Sequence, residues 1–140
     1  MPLQNPDDAR WFAEQVQPHL DGDRVVFLGP VGPRRRAEIL GGSAALLHPV
    51  AFDEPFGLSV VESMLCGTPV VAYPRGSMRE IVDEGVTGLL VDTVEQAVDA
   101  VDRIGRLDRA ACRARALRRF DADRMVADYL IVYEALLSKP

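Results

Sequence analysis

The sequence predicts an α/β fold, because short apolar segments alternate with longer segments whose apolar residues recur at helical spacing. The apolar segments are rich in valine and leucine and are bounded by glycine, proline or aspartate, which is typical of buried strands. Strands that lack polar alternation are covered on both faces, as in parallel sheets. We therefore expect a Rossmann-like, doubly wound parallel sheet in a three-layer α/β/α arrangement.

Size and composition place the chain among ordinary globular proteins. Its 140 residues are 48% hydrophobic and 26% charged, which excludes a disordered tail, a collagen-like repeat and a disulfide scaffold. No apolar run approaches the roughly 18 residues of a membrane-spanning helix, and Cys66 and Cys112 lack the spacing of a metal site. We expect one domain over residues 1–140, with C-terminal helices from about residue 93, in a cytoplasmic protein without a secretory signal.

Strand and helix patterns alternate along the whole chain. Asn5 before Pro6 predicts a first helix with an N-cap, which ends before an Asp-Gly-Asp turn at 21–23. The strand pattern occurs at Val25–Gly29, Ala44–His48, Pro69–Tyr73 and Gly88–Val91. Further helices are predicted at Pro33–Leu40, Leu58–Cys66, Met78–Asp83, 94–104, Arg109–Arg119 and 126–137.

Residues 103–119 form a strongly basic stretch in an acidic chain. They hold seven arginines against one aspartate, whereas the whole chain carries a net charge of −5. One interpretation is a surface for anionic lipid headgroups, with peripheral contact at the inner face of the membrane. The other is a solvated helical face. Because no aromatic side chains are interleaved, we do not expect nucleic acid as a partner.

The segment from His48 to Ala72 has the pattern of a ligand-binding loop. Pro55 favours extended backbone at Glu54, which follows a strand, and glycine at position 57 permits a tight turn. The helix that begins next would present the backbone N–H groups of Gly57, Leu58 and Ser59, together with the positive end of its dipole. Such a helix start suits a phosphate or a pyrophosphate.

Two glutamates flank this predicted anion site. Glu62 lies about one turn into the helix and would repel a phosphate, so we expect it to face neutral hydroxyls such as a ribose diol. Glu54, on the other side, can accept hydrogen bonds from sugar hydroxyls. The arrangement therefore predicts a nucleotide-diphosphate sugar as the ligand.

The ordered string EPFGLSVVESMLCGTPVVA, which contains Glu54 and Glu62 as an E-x7-E pair, resembles a known family. It is similar to the C-terminal, donor-binding half of retaining GT-B glycosyltransferases, in particular glycosyltransferase family four. Residues 75–91 and 25–31 resemble the family's next segment and its base-pocket loop. The resemblance implies transfer of a glycosyl unit from a UDP-, GDP- or ADP-sugar to an acceptor, with retention of configuration and without a metal.

The resemblance also assigns roles to individual residues. Glu54 would be catalytic and contact the transferred sugar, and Glu62 would contact the ribose. The other donor-binding residues would be Phe56, Gly57, Leu58 and Ser59 at the diphosphate and sugar, and Gly29 and Val31 at the base. Further candidates are Arg75, His48 (a substrate contact or a structural strand-end residue) and Glu80 (a ligand or a helix cap).

The chain departs from the family pattern at its N-terminal side. The first strand–helix unit, which usually supplies an arginine and a lysine for the diphosphate, has no counterpart, and neither does the N-terminal acceptor domain. Because a diphosphate leaving group needs cations when no metal is present, we expect weak donor binding and little transfer by this chain. The alternative is a non-catalytic nucleotide-sugar-binding or interaction module. Sheet edges left exposed would favour self-association.

Overall fold

The computed structural model describes residues 5–138. The chain divides into two compact units, one up to Arg36 and one from Ala37 onward. The division falls inside helix α2, which spans Pro33–Gly42.

The first unit begins with helix α1, Pro6–Gln15, followed by a single 3-10 turn at Gln17–His19. Asn5 caps α1 as predicted, because its side chain accepts a hydrogen bond from the N–H of Asp7 at 3.0 Å.

The segment Val25–Gly29 is not the buried strand that its sequence predicts. Its four large apolar side chains, Val25 to Leu28, are each about half exposed. The carboxylate of Asp21 draws this part of the chain into a loop by accepting the N–H groups of residues 23, 24 and 25. A strand needs a neighbour for its backbone groups, and no strand among residues 5–138 pairs with this segment.

The second unit contains a sheet of three parallel strands in the order β1-β2-β3: Leu46–His48, Val70–Ala72 and Gly88–Leu90. Each lies inside a predicted strand segment but is shorter. Strand β1 is at an edge of the sheet, where the side chain of Leu47 is 55% exposed. The hypothesis of self-association through such an edge stays a prediction.

Helices cover both faces of this sheet. They are α3 (Leu58–Leu65), α4 (Met78–Ile81), α5 (Val94–Ile104) and α6 (Arg109–Phe120), and a last helix, α7 (Ala122–Leu137), packs against α6. In the central strand, Val70 and Ala72 pack with α3, α4 and α6, whereas Val71 packs on the other face with α5. The predicted Rossmann-like, three-layer arrangement around a parallel sheet is therefore confirmed.

Four of the seven arginines in the basic stretch make contacts inside the protein. Arg109, Arg113 and Arg119 donate hydrogen bonds to carbonyl oxygens at the C-terminal ends of α2, α3 and α4, respectively. Arg115 pairs with Asp83. Cations are favourable at helix C-termini, where the last carbonyls lack partners within the helix. The interpretation of a purely solvated face is therefore wrong for these four residues.

Helix α7 has no buried residue and is apolar around most of its surface. Its exposed large side chains are Met125, Val126, Tyr129, Leu130, Ile131, Val132, Tyr133, Leu136 and Leu137. Across residues 5–138, no helix has both the length and the apolar character to cross a membrane.

Candidate functional site

The candidate site is built where the loop after β1 meets the turn after β2. The hydroxyl of Ser77 donates to the carbonyl oxygens of Glu54 and Phe56, at 3.0 Å each, and the Ser77 N–H donates to Glu54 O at 2.9 Å. Gly76 has a positive φ of 53°, and a Cβ there would lie 2.3 Å from Glu54 O. The two loops are thus held together at the backbone level.

Helix α3 begins at Leu58, as predicted, after Gly57 with a φ of 85°. The Gly57 N–H donates to Oε1 of Glu54 at 3.0 Å, so it is not open as the sequence predicts. The next two N–H groups, of Leu58 and Ser59, have no hydrogen-bond partner within the described part of the chain. The open part of the helix start therefore consists of these two donors.

A cleft of about 380 Å³ lies between the loop that precedes α3, the turn that precedes α4 and the end of α6. The structure brings the predicted residues Glu54, Phe56 and Glu80 together in its lining, and adds Arg119 and Phe120 from the end of α6. Three kinds of group therefore meet in one cleft: carboxylates, a guanidinium and two aromatic rings.

The two aromatic rings of the cleft are in direct contact. The ring centroids of Phe56 and Phe120 lie 6.3 Å apart at an interplanar angle of 89°, which is the edge-to-face arrangement that aromatic pairs prefer. Phe56 is 45% exposed, so the contact covers part of its ring and leaves the rest open to solvent.

Arg119 is fixed by several acceptors at once. It donates to Ile81 O at 3.1 Å, to Glu80 O, and to Oδ1 of Asp83 at 3.0 Å. The other carboxylate oxygen of Asp83 accepts from Arg115, and this hydrogen bond, together with the charge of Asp83, raises the pKa of Arg115 above its ordinary value. The guanidinium of Arg119 is therefore committed to protein acceptors.

Glu62 and His48 lie close to the chain segments that form the site. Glu62 is half-buried on α3, one turn from the helix start. His48 ends β1, and its Nε2 is buried without a hydrogen-bond partner within residues 5–138. Buried polar atoms normally have partners, so this nitrogen is an exception.

The remaining predicted residues do not line the cleft: Gly57, Leu58, Ser59, Glu62 and His48 lie on α3 or β1 or next to them, and three others lie elsewhere. Arg75 lines a separate opening of about 300 Å³ together with Arg79 and Asp92. Gly29 and Val31 are half-buried and belong to the first compact unit of the chain.

The sequence reasoning missed Ser77, Arg119 and Phe120. Ser77 lies directly before a predicted helix, where a serine commonly acts as an N-cap. This position is the only feature of the sequence that indicates a structural role for Ser77. Arg119 belongs to the basic stretch, whose pattern indicates charge but not a contact with the site. Phe120 follows that stretch and, as a single aromatic residue at a helix end, gave no signal of a contact with Phe56.

The fold and the position of the cleft define a class of protein. Open parallel sheets bind ligands at the carboxyl ends of their strands, and the loops that build this cleft follow the carboxyl ends of β1 and β2. The protein is thus a Rossmann-like α/β domain with a cleft at the carboxyl ends of its strands. The family described as "Glycosyl transferases group 1" matches residues 5–117, and the chain belongs to this family.

Relatives and solved structures agree with this assignment. The D-inositol 3-phosphate glycosyltransferase of Acidothermus cellulolyticus is 37% identical over 124 residues, which are 84% of this chain and 27% of that protein. The crystal structure of HepE from Anabaena in complex with UDP-glucose matches with a TM-score of 0.75 and 27% identity, over 98% of this chain and 38% of HepE. Sucrose-phosphate synthase of Thermosynechococcus elongatus matches with a TM-score of 0.79 and 28% identity, over 94% of this chain and 35% of the synthase chain.

Proposed function

We propose that this chain is the donor-binding portion of a glycosyltransferase that moves a glycosyl unit from a nucleotide-diphosphate sugar to an acceptor, with retention and without a metal. The observation that carries the proposal is the pair of open N–H groups of Leu58 and Ser59, placed between Glu54 and Glu62. The related HepE was crystallised with UDP-glucose and with UDP, which supports a donor of this class.

The start of α3 is the proposed diphosphate site. The N–H groups of Leu58 and Ser59 point out of the first turn, where the helix dipole favours an anion. Leu58 is 69% exposed, so a ligand can reach this backbone. Val60, Val61 and Met64 are buried and anchor the helix in the core, which keeps the two donors in place.

Glu54 is the proposed sugar contact and catalytic residue. One of its carboxylate oxygens is engaged by the Gly57 N–H, which orients the group. The other, Oε2, has no partner in the described part of the chain and can accept a hydrogen bond from a sugar hydroxyl. Glu62 is the proposed ribose contact, and the unpartnered Nε2 of His48 is a further group that a bound donor could satisfy.

Transfer by this chain is proposed to be slow, because the cleft offers little free positive charge. Arg119 is the arginine in its lining, and the guanidinium already binds two carbonyls and Asp83. A diphosphate leaving group without a metal requires such charge. This observation also favours the alternative of a module that binds a nucleotide sugar without transferring it.

Calorimetry with UDP-glucose, GDP-glucose and ADP-glucose tests donor binding. We expect one of them to bind, and we expect Glu62→Gln to weaken that binding by about 5- to 10-fold, since a hydrogen bond to a charged group is replaced by a neutral one. Glu134→Gln on the exposed helix α7 is the matched control and should bind as the wild type does. Failure of all three nucleotides at millimolar concentration would refute the proposal.

A transfer assay separates the two candidate functions. UDP release from UDP-glucose is measured with and without D-inositol 3-phosphate, the substrate named for the relative in Acidothermus. Slow release that Glu54→Gln abolishes supports a transferase portion. Donor binding with no release in either condition supports the non-catalytic module.

A further inference from the structure

The last turn of α6 touches the candidate donor site at two separate places. The Phe120 ring packs edge-to-face on Phe56 at 6.3 Å, and Arg119 binds the carbonyls of Glu80 and Ile81 at the end of α4. Both contacts come from consecutive residues, so a single rigid element holds two parts of the cleft wall.

Helix α4 connects the Arg119 contact to the loop that carries Glu54. Arg119 binds the C-terminal end of this one-turn helix, and Ser77, at its N-terminal end, binds the carbonyls of Glu54 and Phe56. The helix is too short to hold its own position, because most of its carbonyls lack partners within it. Ser77 therefore positions the loop, and the guanidinium of Arg119, at the other end of α4, positions Ser77.

The guanidinium is itself well fixed. Its side chain is 26% exposed and pairs with Asp83, which also binds Arg115 one turn earlier on α6. Two arginines on one half-buried carboxylate leave little freedom to the end of α6. A rigid anchor of this kind can transmit a small displacement to the residues it contacts.

We propose that Arg119 and Phe120 are positioning residues that set the orientation of Phe56 and of the Glu54 carboxylate toward the sugar of the donor. This inference rests on the proposed function, since it names what determines recognition of the glycosyl group at that site. The start of α3 is anchored by its own fully or largely buried residues Val60, Val61 and Met64, whereas Phe120 packs only at the margin of that core and is partly buried. Loss of the α6 contacts should therefore affect the sugar and spare the diphosphate.

The test compares the affinities for UDP-glucose and for UDP by calorimetry. Phe120→Ala should raise the dissociation constant for UDP-glucose about five- to tenfold, as expected from the loss of an aromatic pair. The affinity for UDP should change by less than about twofold, because the helix start is untouched. Phe120→Tyr keeps the ring and should restore binding, and Phe120→Leu serves if the alanine variant fails to fold.

Leu117→Ala and Arg118→Ala are the matched controls, since both residues are exposed on the same helix and line none of the clefts that contain Phe56. They should leave both affinities unchanged. An equal loss for UDP and UDP-glucose in Phe120→Ala, or no loss for either, would overturn the positioning role. A failed rescue by Phe120→Tyr would do the same.

A ligand-free measurement separates this inference from the proposed function. In NMR spectra of amide groups, Phe120→Ala should shift the signal of Gly57 and Arg119→Ala that of Ser77, whereas Leu117→Ala should shift neither. If the wild type binds neither UDP-glucose nor UDP, the proposed function is refuted whatever the spectra show. If binding occurs but neither amide shifts, the coupling through α6 is refuted.

Discussion

Replacing Gly76 by alanine is the sharpest test of how the site is built. The Cβ of alanine would lie 2.3 Å from Glu54 O, 2.5 Å from Glu54 N and 2.8 Å from the carbonyl carbon of Asp53. Ordinary contacts begin near 3.4 Å, and all three neighbours are backbone atoms that cannot rotate away. The substitution must therefore push apart the two loops that carry the cleft.

The expected cost has two parts. A non-glycine residue at a φ of 53° costs about 1–2 kcal/mol in the left-handed region. Overpacking against backbone adds about 1–3 kcal/mol. Gly85 provides the matched control, because it has a φ of 75° and a Cβ added there would meet no atom within 4 Å. Gly85→Ala therefore carries the conformational cost alone.

Urea unfolding followed by circular dichroism measures both variants. We expect Gly76→Ala to lower the free energy of unfolding by about 1–3 kcal/mol more than Gly85→Ala does. Calorimetry should also show weaker binding of UDP-glucose for Gly76→Ala alone, since the loop bearing Glu54 moves. Equal stability of the two variants would refute the close approach of Gly76 to the backbone of Glu54.

The remaining predictions concern Cys112 and Asp83 in the second unit. Cys112 is fully buried, and burial raises the pKa of its thiol to about 11, so a thiol reagent at pH 8 should label Cys66 first and Cys112 only on unfolding. An unfolded thiol ionises near pH 9.0, whereas the buried thiol ionises near pH 11. The stability that the protonated Cys112 contributes is therefore complete below pH 9.0 and is lost as the pH rises to about 11. Cys112→Ala should remove this dependence of the free energy of unfolding on pH. Asp83→Asn should lower the free energy of unfolding by about 1–2 kcal/mol, because two arginines lose a half-buried carboxylate. The exposed pair of Asp128 is the control: Asp128→Asn should change stability by less than about 0.5 kcal/mol.

The parts of the fold that local patterns determine were predictable from the sequence. The helix start at Leu58 follows from Gly57 and the apolar spacing of α3, and the strand at Val70–Ala72 follows from its valines and the preceding Gly-Thr-Pro. The segment Val25–Gly29 carries an equally strong strand pattern and forms no strand. Propensity alone does not make a strand, because the hydrogen bonds must come from a neighbour elsewhere in the chain.

The same distinction applies to the candidate site. Glu54 and Glu62 were found because eight positions of sequence separate them and a helix start lies between them. Arg119 and Phe120 lie more than 60 positions from Glu54, and no pattern in one sequence pairs such distant residues. The sequence of the basic stretch indicates only that it is positively charged. A positive charge is consistent with a solvated face, a lipid-binding surface or the capping of three helices, so it does not distinguish between them.

The capping role explains why the basic stretch bears on the site at all. Arg109, Arg113 and Arg119 place one helix across the ends of α2, α3 and α4, so α6 fixes α3, whose first turn is the proposed diphosphate site, relative to the turn that holds Glu54. A lysine would supply the charge at each position but only a single point of contact, whereas the guanidinium of Arg119 bridges two carbonyls and a carboxylate. The arginines are thus expected to matter through their geometry as well as their charge. The position of Glu54 relative to the start of α3 then depends on a helix whose residues in the lining of the cleft are Arg119 and Phe120.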